Sequence, residues 1–142
     1  MSKLNFFELF KNALDEKNVT IKELENFGVL KTNTFYNFST YCPSLFNAIQ
    51  IANHLQLSLD YILEKSDINN FKRYKNNQSN FYFKLEDILK SYNISNHKFL
   101  KELNMDKNNF TKWKNGATPK FSTVIAISDY LSCGVDDLLE HE

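Results

Sequence analysis

The sequence is poor in the residues that build most small chemical sites. It has three glycines, two prolines and two cysteines in 142 residues. Three scattered glycines leave no Gly-rich loop to cradle a phosphate. Cys42 and Cys133 stand in no metal-like spacing, and His54, His97 and His141 do not complete a four-ligand zinc cluster. The two thiols read as reduced packing groups, with no metal and no cofactor expected. No histidine is paired with a Cys or Ser in a way that suggests a nucleophile. Asp136 and Asp137 read as flanking a last helix, so no enzyme is expected. No apolar run approaches the ~20 residues of a membrane span. Met1 to Leu4 lead straight into an amphipathic pattern with acids in it, so no signal peptide is expected and the cytoplasm is the default. Net charge is also absent, with 17 Lys and Arg against 17 Asp and Glu. Taken over the whole chain, that argues against nucleic acid.

What is present is an apolar fraction of 42%, too high for wholesale disorder, and an internal repeat. Residues 48–63 resemble residues 124–139, an offset of 76: Leu55 matches Leu131, Leu59 Val135, Asp60 Asp136, Leu63 Leu139, and upstream Pro43 matches Pro119. The front halves match at an offset of 75: Val19 and Thr20 with Ile94 and Ser95, Leu24 with Phe99, Phe35 with Phe110, Phe38 with Trp113. The change of offset places one extra residue in the loop 115–118, and around Gly28 the register is open by one residue.

Each copy reads as five short helices. In the second, residues 83–92 carry an apolar helical stripe of Phe83, Leu85, Ile88, Leu89 and Tyr92. Ser95 is a natural N-cap for a helix facing inward with Phe99, Leu100 and Leu103. Asp106 can cap a third helix over 107–114, with Phe110 and Trp113 on one side and Asn115 and Gly116 as its stop. Helices over 121–131 and 135–140 follow Pro119. The first copy repeats the plan over 4–16, a helix capped by Thr20, 32–38, 44–55 and 59–64. The polar, Asn-rich stretch between them reads as a linker, with Phe71 and Tyr74 suggesting that part of it packs. The division is a first domain over 1–66, a linker over 67–80 and a second domain over 81–142.

Ser95, Phe99, Asn104 to Asp106, Phe110, Trp113 to Gly116, Pro119 and the ending from Leu131 to Leu139 resemble the phage-repressor type of helix-turn-helix, the XRE or Cro/CI family. The ending recurs as Leu55 to Leu63. Leu100 stands where the family usually has a small residue, Lys114 where an acid is common, and the first copy departs further at Phe38 to Tyr41. The resemblance implies an all-α chain of two tandem five-helix lambda-repressor-like domains. It implies a transcriptional regulator of bacterial or phage origin, a repressor whose partner is double-stranded DNA.

In such a fold the third helix enters the major groove and the second crosses the backbone. Mapped by resemblance, the base-facing positions are Lys107, Asn108, Thr111 and Lys112. Backbone contacts fall to Ser95, Asn96, Lys98, Lys114, Asn115, Thr118 and Lys120. Lysine can donate to guanine, asparagine can bind adenine, and a threonine methyl can touch thymine. Residues 95–120 hold six lysines against Glu102 and Asp106, a balance of +4, while 121–142 hold five acids and no Lys or Arg. The zero total hides this polarity. Residues 20–43 of the first copy balance to zero, two lysines against two acids. There Thr32, Asn33, Tyr36 and Asn37 form a second DNA site, with the basic linker residues Lys72, Arg73 and Lys75 helping, or the aromatics make a homodimer or protein contact, or Phe35 and Phe38 simply pack inward. The alternative to a regulator is a protein-binding adaptor of the antitoxin, immunity or antirepressor type.

Overall fold

The computed structural model describes residues 5–142. The expected first helix began at Leu4, which lies outside them. Ten α-helices and one short 3₁₀ helix make up the regular structure of the described residues. The chain divides into two compact units, the first ending at Asn76 and the second spanning Asn77–Glu142.

The first unit contains α1 (Phe6–Glu16), α2 (Ile21–Asn26), α3 (Thr32–Tyr36), a 3₁₀ turn (Asn37–Ser39), α4 (Leu45–Leu55) and α5 (Leu59–Ile62). Short polar side chains start most of them. Asn5 accepts from Glu8 N, Thr20 from Glu23 N, Ser44 from Asn47 N and Ser58 from Tyr61 N, each at 3.0–3.1 Å. Phe10, Leu14, Leu24, Phe35, Phe38, Leu45 and Ile49 are buried together. Phe38 lies 5.7 Å from Phe10 and 5.2 Å from Phe35, centroid to centroid. Phe35 and Phe38 are packed inward. The expected third helix does not run evenly to Phe38: its last turn tightens to 3₁₀, and Asn37 O accepts from both Thr40 N and Tyr41 N.

The stretch 67–80 is not one free connector. Tyr74 has no exposed surface and is held at both ends. Its backbone N–H donates to Asn53 Oδ1 at 2.9 Å, its carbonyl accepts from Asn53 Nδ2 at 3.1 Å, and its hydroxyl accepts from Leu59 N at 2.8 Å. Asn69 adds a second tie, accepting from Ser58 N and donating to Gln56 O. Residues up to 76 therefore complete the first unit.

The second unit contains α6 (Phe81–Ser91), α7 (Asn96–Glu102), α8 (Asn108–Lys114), α9 (Phe121–Leu131) and α10 (Val135–Leu138). The apolar stripe of α6 differs from the expected one. Phe83 and Tyr92 are 49% and 46% exposed, while Phe81, Tyr82, Leu85 and Leu89 are buried. The cause is aromatic packing: Phe81 meets Trp113 edge-on at 5.2 Å, and Tyr82 meets Phe110 edge-on at 5.4 Å. Gln78 secures the C-terminus, donating to Glu140 O and accepting from Glu140 N.

Candidate nucleic-acid interface

The candidate site is built on α7, α8 and the turn between them. Ser95 Oγ accepts from Lys98 N at 3.1 Å and starts α7, as the sequence suggested. The helix ends on Leu103, and Asn104 takes a left-handed conformation with φ +54°. Met105 N then donates back to Leu100 O at 2.8 Å, a Schellman-type closure that reverses the chain within three residues. Asn tolerates this φ better than most residues because its short polar side chain can bond locally. Asp106 Oδ1 accepts from Asn108 N at 2.9 Å and its carbonyl accepts from Asn109 N at 3.0 Å, so Asp106 heads α8.

Phe110 and Trp113 anchor α8 to the core, and this fixes which face looks outward. Each helical residue turns the side chain by about 100°. Lys114, Lys107, Thr111, Asn115, Asn108 and Lys112 then follow one another over an arc of about 160°. All six are exposed. The four expected base-facing residues thus share one solvent face. Ser95, Asn96, Lys98, Thr118 and Lys120 are exposed as well. Two lysines are already engaged: Lys98 Nζ sits 3.8 Å from Glu102, and Lys114 Nζ sits 5.2 Å from the centroid of the Tyr82 ring. An open cleft of about 500 Å³ runs beside α8, lined in part by Asp106, Asn109, Lys112, Thr118 and Lys120. Asn109 and Tyr82 belong to this neighbourhood although sequence reasoning passed over both. Nothing in their spacing marked them, because Asn109 is only half-buried and Tyr82 comes from a different helix.

The charge separation is carried by this geometry. Lys107 at the head of α8, Lys112 and Lys114 on it, and Lys120 after it are exposed. Asp129, Asp136, Asp137, Glu140 and Glu142 lie on α9, α10 and the residues beyond. Tyr130 Oη donates to Glu102 at 2.9 Å, and burial together with this bond raises the phenol above its ordinary range.

The matching positions of the first unit are arranged differently. Thr32 Oγ1 is buried, and Thr32 N donates to Glu25 Oε1 at 2.9 Å. That backbone bond, with help from Lys22, lowers the Glu25 carboxyl below the ordinary range. Asn33 and Asn37 are exposed, but Asn37 has left α3 for the 3₁₀ turn. Tyr36 is 53% exposed and stacks on Phe7 at 5.6 Å. Asn33, Tyr36 and Asn37 are thus exposed along α3 and its 3₁₀ end, whereas the Thr32 hydroxyl is buried.

No helix among the described residues is long and apolar enough to cross a membrane. Residues 84–142 match the family model of the Cro/C1-type HTH DNA-binding domain, which runs from the first turn of α6 to the end of the chain. No curated protein matches the chain, and no solved structure does. The second unit is thus similar to the family that its residues resemble.

Proposed function

We propose that this chain is a sequence-specific DNA-binding transcriptional regulator that acts as a repressor by occupying its operator. Helix α8 enters the major groove. Lys107, Asn108, Thr111 and Lys112 meet base edges, while Ser95, Asn96, Lys98, Lys114, Asn115, Thr118 and Lys120 meet the phosphate backbone. The observation that carries this is the single exposed arc of α8, basic and amide-bearing, on a helix pinned from behind by Phe110 and Trp113. The family match over the same unit supports it. The acids of α9, α10 and the tail keep the net charge low without diluting the positive potential at α8.

The first unit is a second copy of the same module in this reading. The order of its helices supports that, as do the shared left-handed positions Asn18 and Asn93, Gly28 and Asn104, Gln56 and Ser132. With a neutral helix-turn-helix, the first unit serves protein contact in this reading, by pairing two chains or holding a protein partner. Phosphate attraction carries most non-specific DNA affinity, and residues 20–43 have no net charge to supply it.

Selection from random duplexes, followed by binding across a salt series, tests this reading. An enriched motif and a steep negative salt slope are expected. If no motif emerges, and Lys107→Ala and Lys112→Ala bind any duplex as the parent does, the adaptor reading replaces it.

A further inference from the structure

Lys114 is the basic residue of α8 whose position is most constrained, and the constraint comes from α6. Tyr82 lies in the first turn of α6 and is 4% exposed. Its ring is fixed edge-on against Phe110 at 5.4 Å and Phe83 at 5.4 Å, and its hydroxyl donates to Glu86 Oε2 at 3.2 Å. The Lys114 ammonium lies over this ring, 5.2 Å from its centroid. The negative face of an aromatic ring attracts an ammonium. The alkyl stem of a lysine otherwise samples many rotamers, all but one of which are lost when the charge meets a phosphate. Lys114 also sits in the last turn of α8, where a cation is favoured by the helix dipole.

We propose that Tyr82 is a positioning residue that holds the Lys114 ammonium at the edge of α8 for a DNA backbone phosphate. This rests on the reading of α8 as the DNA-facing helix. Tyr82 itself touches no DNA. It acts by restricting where the charge can be, which distinguishes Lys114 from Lys107 and Lys112, for which no aromatic partner is found among the described residues.

The test is a double-mutant cycle in the full chain, read as duplex affinity across a salt series, with thermal unfolding of each variant as the control for folding. Lys114→Gln should lower the salt slope by about 0.9, the effect of one lost phosphate contact. Tyr82→Phe keeps the ring and should bind like the parent. Tyr82→Leu should weaken binding about two- to fivefold, the size expected of one cation–π contact. That loss should vanish when Lys114→Gln is already present. A parent that binds with a salt slope, together with a Tyr82→Leu loss that persists in the Lys114→Gln background, would overturn the inference and leave the DNA reading intact. A parent with no salt-dependent binding overturns the DNA reading, and this inference with it. If Tyr82→Leu does not fold, proton NMR of the parent decides. The ε-methylene protons of Lys114 should be ring-shifted upfield, and ordinary lysine shifts there overturn the inference.

Discussion

Glu25 Oε1 accepts the backbone N–H of Thr32 at 2.9 Å, bridging the end of α2 to the first turn of α3. The chain thereby satisfies, with its own carboxylate, an N–H that the start of a helix otherwise leaves open. Asp106 does the same at the start of α8, but there Lys107, Lys112 and Lys114 outnumber it at the head of the helix and along it. Helix α3 has Lys31 at its head and no other base. The two helices share a geometry of capping and differ in the charge laid over it.

The Glu25 bond has a pH signature. Its carboxyl is lowered by the Thr32 N–H first, with Lys22 contributing less. A folded value below the unfolded one means that the charged form favours the fold. The stabilisation is present above the unfolded value of about 4.3 and is lost as pH falls through the folded value. Carboxyl NMR titration should place Glu25 below an unfolded glutamate. Glu25→Ala should flatten the acid branch of the stability curve below about pH 4.3.

Asp106 faces two opposing demands. Asp106→Ala removes the acceptor for Asn108 N and should destabilise the second unit by about 1 kcal/mol, as lost N-caps do. It also removes a negative charge beside the basic face, so non-specific duplex affinity should rise. Asp106→Asn should keep most of the stability and still show the rise. Urea unfolding and low-salt binding read the two effects separately, and a fall in affinity for Asp106→Asn would contradict the placement of the site.

Base and backbone positions should separate in a salt series. Lys112→Ala is expected to lower the slope if its charge meets phosphate as well as base. Asn108→Ala should leave the slope alone, relax the selected motif at one position and cost about 1–3 kcal/mol on the preferred sequence. An Asn108→Ala variant that selects the parental motif unchanged would remove Asn108 from the base-reading set.

Asn53 is the fastener of the first unit. Asn53→Ala removes both side-chain bonds to the Tyr74 backbone, so denaturant midpoints should fall by the equivalent of about 1–3 kcal/mol. Unchanged midpoints would mean that residues 67–76 contribute little to the first unit.

Much of this architecture was legible in the residues. Thr20 and Ser95 stood where caps belong, and Asp106 where a helix had to begin. Phe110 and Trp113, three apart, defined an inner side of α8, so its outer side followed from the helical period alone. The sequence was less informative at Phe81, Tyr82 and Phe83, because three aromatics in a row carry no period. Any of them could face the core from composition alone, and packing against Trp113 and Phe110 selects the first two. Residues 67–76 were legible only in part, through Phe71 and Tyr74. Their Asn and Lys content reads as a connector, whereas the bonds that seat Tyr74 come from Asn53, 21 residues away.

By itself the sequence determined the helical periods, the caps and the excess of lysine over residues 95–120, because each depends on neighbours within a few residues. The tertiary structure decided which aromatics are anchors, how far the first unit extends and which groups of α3 are spent on its own fold. It also laid Lys114 across Tyr82. Those outcomes depend on side chains from separate helices competing for the same space, and no local pattern encodes the result of that competition.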